Sequence, residues 1–255
     1  MTKGDRELTA SSRASARVLV VGVGGLGCPA AIVLARAGVG ALRIVDDDVV
    51  DLSNLHRQVL FDESAVGRAK VDAAARALRV LAPSIAIEAV NDRFVPETAA
   101  ALLRDVDVVV EGSDNFATKF LAADACALAG VPIVHAAAIR THGTAFAVGP
   151  RGTPCYRCLF EDIPHEHAPN CAEAGVLGPV VGVVGALQAD LALSVLDGAA
   201  PFGRFVSYDG LRDIVRRHKV PARADCPLCA TISGKIRTLD PARYMPQDSS
   251  AVPDA

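Results

Sequence analysis

Tryptophan is absent and aromatic residues make up only 4% of the 255 residues, so alanine and valine have to fill the interior. No uninterrupted run of 18 or more apolar residues occurs, so no ordinary transmembrane span is expected. Met1–Ala16 is polar and lacks the apolar core of a secretory signal. Neither sign of charge dominates: 26 Lys and Arg stand against 29 Asp and Glu, a net charge of -3. That balance excludes a global basic field for nucleic acid. With no apolar span and no export signal, neither nucleic acid nor membrane is an expected partner, and a cytoplasmic location is expected. Seven cysteines are an odd number, and four of them form two Cys-x-x-Cys pairs. Without an export signal, that pattern indicates metal binding or thiol chemistry and not a disulfide framework.

What is present is ample apolar material, 51% of the chain, in alternating short blocks. Arg17–Val21 is a β-branched run suited to a buried parallel strand. The Ala-rich segment from Cys28 to Ala37 reads as a helix closed by Gly38. Strands are expected at Leu42–Val45, Ile85–Val90, Val106–Glu111 and Pro132–His135, and helices at Gly67–Leu81 and Asn115–Ala129. This alternation predicts a doubly wound, mostly parallel Rossmann-like α/β sheet. Beyond it, Thr144–Val148 reads as a strand, and Arg151–Gly175 is a long loop rich in Cys, His and Pro. Val176–Leu196 is an apolar helix, and late strands fall at Phe205–Tyr208 and Ile214–Arg217. The expected organisation is a flexible lead-in over 1–16, one domain over 17–240 and a disordered tail over 241–255. Within the domain, 17–140 is the nucleotide-binding half, and 141–240 is a partly antiparallel half bearing zinc and the partner surface.

The first strand runs directly into Gly22-Val23-Gly24-Gly25-Leu26-Gly27. Such a turn lets backbone N–H groups approach a phosphate at a helix N-terminus, and Asp46 ends the next strand where a ribose-binding acid belongs. Alone, the motif does not separate ATP from NAD. Arg57 and Lys70 follow, and together they suit a triphosphate, on which charge builds as pyrophosphate leaves.

Gly22-x-Gly24-Gly25-Leu26-Gly27, Gly38-Val39-Gly40, Asp46-x-Asp48, Ser53-Asn54-Leu55-x-Arg57-Gln58 and Gly67-x-x-Lys70 resemble the MoeB/ThiF/HesA family of ubiquitin-activating-like adenylyltransferases. Ser113-Asp114-Asn115, Ala136–Arg140, Pro154–Cys158 and Ala174-Gly175-Val176 continue the resemblance, in family order, over about residues 17–230. The resemblance implies that Asp46 binds the ATP ribose and that Asn54, Arg57 and Lys70 contact the phosphates. Asp114 would hold Mg²⁺, which prefers one or two carboxylates plus phosphate oxygens. Asp48, Gln58 and Asn115 complete the expected nucleotide-binding set with the four loop glycines. Arg57, Lys70 and Asp114 are also the expected catalytic groups. The implied activity is adenylation of the C-terminal glycine of a small ubiquitin-like sulfur-carrier protein ending in Gly-Gly. Pyrophosphate leaves, and the carrier is prepared for thiocarboxylate formation. The further implications are a homodimer and a sulfur-donor protein. Family members usually carry an Arg-Tyr-x-Arg-Gln-like segment before the first strand; Met1–Ser15 lacks that motif and offers Arg6 and Arg13.

Cys155-Tyr156-Arg157-Cys158 and Cys226-Pro227-Leu228-Cys229 make a tetrathiolate, the closed arrangement of structural zinc. His165 and His167 are the next candidate ligands. Cys171 lies where some family members form a covalent link to the carrier during sulfur transfer. Two other readings stay open on the residues alone. One is adenylation of a peptide or small carboxylate without a carrier protein. The other is an NAD-dependent oxidoreductase, which explains the glycines and Asp46 but gives Arg57, Lys70 and Asp114 no shared purpose.

Overall fold

A computed structural model describes residues 12–164, 175–230 and 235–244. One eight-stranded sheet runs through them in the order β3-β2-β1-β4-β5-β6-β7-β8. Its first five positions are parallel: β1 (Arg17–Val21), β2 (Ala41–Val45), β3 (Ala86–Val90), β4 (Val108–Glu111) and β5 (Ile133–Ile139). The antiparallel strands β6 (His142–Val148), β7 (Arg204–Asp209) and β8 (Ile214–Lys219) extend the same sheet. The expected fold class is met, and the two expected halves share a single sheet.

Helices cover both faces, as a parallel sheet requires. On one face lie α1 (Gly27–Arg36), α2 (Lys70–Leu81) and α6 (Gly178–Leu196), packed on Val18, Val20, Leu42 and Ile44. On the other lie α3 (Pro96–Leu102), α4 (Phe116–Ala129) and the single turn α5 (Tyr156–Leu159), packed on Leu19, Val21 and Val109. Burial on both faces explains why β1 and β4 read as unbroken apolar runs. By length and composition, α6 could cross a membrane. In the fold it is a packing helix. Val180, Val181, Val184, Ala189, Leu191 and Ala192 are buried, and the Gln188 amide donates to the carbonyls of Glu111 (2.7 Å) and Val134 (2.8 Å).

Several elements depart from the sequence expectation for tertiary reasons. Helix α2 begins at Lys70 and not Gly67, because Val49 and Ala69 form an antiparallel bridge and the Lys70 N–H donates to Asp48 O at 2.9 Å. β5 and β6 are longer than expected and meet in a tight hairpin with Arg140 at φ 51°. Helix α6 starts at Gly178 because Arg140 pairs with Val176. Helix α3, opened by Pro96, and the turn α5 were not anticipated.

The terminal boundaries also differ. Residues 12–15 form a helical turn where a flexible lead-in is expected. Arg13 pairs with Asp197 at the end of α6 (Nε to Oδ1 2.7 Å), so it is engaged within its own chain. The missing side chain of Gly40 makes room for the Ala14 carbonyl. Where a disordered tail is expected, Pro241–Tyr244 forms a 3-10 turn and Tyr244 is buried. Its hydroxyl donates to Asp124 at 2.8 Å.

The packing of α6 on α1 leaves no spare volume at Gly185. A Cβ there would lie 2.6 Å from both Leu26 O and Pro29 Cγ. Gly185→Ala is therefore expected to destabilise the protein by about 1–3 kcal/mol, the usual penalty of overpacking. Urea unfolding checks this as a lower midpoint at unchanged slope; an unchanged midpoint would refute the close approach.

Candidate functional site

The order β2-β1-β4 places the chain's topological switch point at the carboxyl ends of β1 and β4, where open α/β sheets bind ligands. β1 ends in Gly22 at φ 83°, a backbone conformation that glycine adopts without cost. Gly27 is required by contact: a Cβ would lie 1.9 Å from Gly22 O. Leu26, at the N-cap of α1, provides no side-chain cap, and the first turn contains no acid. Within that turn Cys28 N donates to Gly24 O at 3.0 Å and Ala30 N to Leu26 O at 3.2 Å, and Pro29 has no N–H. The amides open to an anion are therefore those of Gly24 to Gly27, which have no acceptor among the described residues.

Around this opening the fold assembles most of the expected residues. Asp46 Oδ2 accepts from Val23 N at 2.7 Å and Oδ1 from Asp48 N at 3.0 Å, tying the end of β2 to the glycine turn. Burial raises the Asp46 pKa, opposed chiefly by the nearby Lys70 charge. Lys70 is buried, and its Nζ meets Asp48 Oδ2 at 2.7 Å. Arg57 donates to Asn54 Oδ1, and its Cγ and Cδ would lie 3.5 Å from a Cβ on Gly25. Gln58 is buried near Gly24, and its Oε1 has no partner among the described residues.

Asp114 and Asn115 follow β4. Asn115 caps α4 by accepting from Thr118 N at 2.8 Å, so its oxygen serves the helix. The exposed Asp114 carboxylate has no hydrogen bond or ion pair among the described residues. Beside it opens a cleft of about 210 Å³, walled by Ala137, Ile139, Thr144, Tyr156 and Phe160.

Beneath Asp114 lies a buried network that the sequence reading missed. Glu111 Oε1 accepts from Ser113 N at 2.7 Å. Its Oε2 accepts from Lys119 Nζ at 2.9 Å and lies 3.1 Å from His135 Nδ1. Lys119 also donates to Ala136 O at 2.5 Å. Burial alone would raise the Glu111 pKa; Lys119, His135 and Ser113 overcome it and hold it at about 2. Burial lowers the His135 pKa. A glutamate closing a Val-Val-Val run was the available signal.

The four cysteines of the two pairs come together although 71 residues separate the pairs. Sγ separations are 3.8 Å for Cys155–Cys158 and 3.4 Å for Cys155–Cys226 and Cys158–Cys229. Tetrahedral zinc with Zn–S about 2.3 Å places thiolates about 3.8 Å apart, so the donor set and spacing fit that metal. Hydrogen bonds from Cys155 and its neighbours pull the Cys229 pKa down to about 5. Arg157, between the first pair, is buried and reaches both oxygens of Asp124, at 2.9 and 3.0 Å. Cys171, His165 and His167 lie outside the described residues.

Three comparisons bear on this site. A model of the ThiF family matches residues 6–228. The adenylyltransferase and sulfurtransferase MOCS3 of Sus scrofa is 47% identical over 220 residues, covering 85% of this chain and 48% of that protein. The chain thus spans about half the length of that relative. The SAMP-activating enzyme E1 of Haloferax volcanii is 41% identical over 234 residues, covering 91% of this chain and 86% of that protein. Among solved structures, E. coli MccB with ATP superposes at TM-score 0.77 and 22% identity, covering 88% of this chain and 69% of that one. That likeness concerns the fold.

The Glu111 pKa carries a consequence for stability. It is lowered from 4.5 to about 2 on folding. Its contribution is complete above pH 4.5 and is lost as pH falls toward 2. It amounts to about 3 kcal/mol at 1.36 kcal/mol per unit. Glu111→Gln lacks this component, so its stability deficit relative to wild type is expected to shrink between pH 5 and pH 2.5. Urea unfolding at several pH values measures it; a constant deficit would refute the buried ionised carboxylate.

Proposed function

Because the chain belongs to the ThiF family, we propose that it is a nucleotidyltransferase that adenylates the C-terminal glycine of a small ubiquitin-like sulfur-carrier protein. The observation that carries this reading is a convergence at the carboxyl ends of the parallel strands. A glycine-rich turn with open amides, the cations of Arg57 and Lys70, and Asp114, unpartnered among the described residues, meet there, beside an apolar cleft. Relatives named as adenylyltransferases and as an activating enzyme support the same chemistry.

In this reading the amides of the glycine turn, Asn54, Arg57 and Lys70 hold the triphosphate, Asp46 holds the ribose, and Asp48 and Gln58 brace these groups. Asp114 would hold magnesium, which would supply neutralisation of the charge that grows on leaving pyrophosphate. The carrier's tail lies extended in the cleft and its carboxylate attacks the α-phosphorus. The new P–O bond forms as the bond to pyrophosphate breaks. The residues contribute position and charge and need supply no acid or base. The acyl adenylate is then open to a sulfur nucleophile, from a donor protein or through Cys171 as a covalent thiol. Zinc in the four-cysteine cluster has a structural role. A homodimer and a cytoplasmic setting complete the proposal.

ATP–pyrophosphate exchange with carriers ending in Gly-Gly tests the reading. Carrier-dependent exchange is expected, and Asp114→Ala should reduce it by about 10²-fold or more, as when a group facing developing charge is removed. ATP binding without exchange for any carrier overturns the carrier reading. Binding of NAD in preference to ATP overturns adenylation itself.

The cluster makes a separate prediction. Elemental analysis should find about one zinc per chain, and Cys155→Ser together with Cys226→Ser should abolish it and lower the melting temperature, because structural zinc binding is coupled to folding. Metal-free wild-type protein of unchanged stability would refute the assignment.

A further inference from the structure

The cleft beside Asp114 is apolar along Ala137, Ile139, Tyr156 and Phe160, and on the α4 side it is lined by Ser113, Asp114 and Lys119. A carboxylate entering such a cleft gives up water and meets the negative charge of Asp114, so it needs a fixed cation. Among the described residues Lys119 is the only lysine or arginine in the lining. Its ammonium is anchored by Glu111 Oε2 at 2.9 Å and Ala136 O at 2.5 Å, and it has no other partner among the described residues. An ammonium has three donors, and a buried donor without an acceptor is costly. Glu111 holds the ammonium in place while dividing its own charge among Ser113, His135 and Lys119.

The geometry points to Lys119 as the residue that receives the terminal carboxylate of the extended chain end occupying this cleft. This role is separate from phosphate binding by Arg57 and Lys70, and it rests on the carrier reading above. Glu111 is then a positioning residue that acts through the lysine. The substrate class is a chain terminus with a free carboxylate and small final residues. Removing Lys119 alone would strand a buried carboxylate, so the informative variant is the neutral pair Glu111→Gln with Lys119→Met.

The test uses a synthetic peptide ending in Gly-Gly, as the free acid and as the C-terminal amide, titrated calorimetrically into the full chain. The wild type is expected to bind the acid about tenfold more tightly than the amide, the usual worth of a hydrogen bond to a charged group. In the double variant the ratio should fall to about one while the amide affinity holds. A folded double variant that keeps the ratio overturns the assignment, as does equal binding of acid and amide by wild type. Should the double variant fail to fold, the Lys119 ammonium resonance of wild type decides: it must move with the acid and not with the amide. Wild type that binds neither peptide overturns the carrier reading and this assignment together; equal binding overturns the assignment alone.

Discussion

A carboxylate with no exposure to water must either take up a proton or be surrounded by groups that justify its charge. Glu111 is fully buried and takes the second course. Its side chain engages the Ser113 turn, α4 through Lys119 and β5 through His135, and its main-chain carbonyl receives the Gln188 amide from α6. The Ser113 turn and α4 are neighbours in the chain, but β5 and α6 are distant from them; the ionised side chain ties the first three together and the main-chain carbonyl of the same residue adds α6. The turn that presents Asp114 is therefore set from below.

From above, the same turn is set by close backbone approach. A Cβ on Gly22 would lie 3.2 Å from Ser113 N, and one on Gly112 would lie 3.2 Å from Gly27 N. The glycine turn after β1 and the acidic turn after β4 thus press on each other with no side chain between them. The segment carrying Arg57 is brought in by a third contact of this kind, since a Cβ on Gly178 would lie 2.5 Å from His56 O. Helix α6 therefore governs both rims of the site, through Gln188 on one side and Gly178 on the other.

Much of this was legible because it is local. A strand followed by spaced glycines, an acid at each strand end and two matched cysteine pairs declare themselves within a few residues. What was not legible depends on distant partners. Lys119 looks like an ordinary helix lysine until the order β4-β5 brings His135 and Ala136 against it. The helix that Lys70 opens was expected to begin at Gly67, yet it begins at Lys70 because the preceding residues pair with Asp48–Val50. Tyr244 fell in an expected tail, and its anchor lies 120 residues earlier.

The cysteine cluster shows how a group without chemistry of its own can bear on the site. Arg157 sits between two of the thiols, pairs with Asp124 of α4 and lies over the Phe120 ring at 4.8 Å. Tyr244 adds a hydroxyl to the same carboxylate. A buried ion pair of this kind is costly to desolvate and strongly destabilising when half removed, so its worth lies in specifying one arrangement. The arrangement it specifies is the seat of α4. Phe120 and Asp124 stand one and five residues beyond Lys119, and Asp114 lies just before the helix starts. A metal that clamps Cys155 and Cys158 to Cys226 and Cys229 would hold Arg157 in register. Arg157 in turn would hold the helix whose first turns face the cleft. The long separation between the cysteine pairs thus ties the late segment of the chain to the seat of α4.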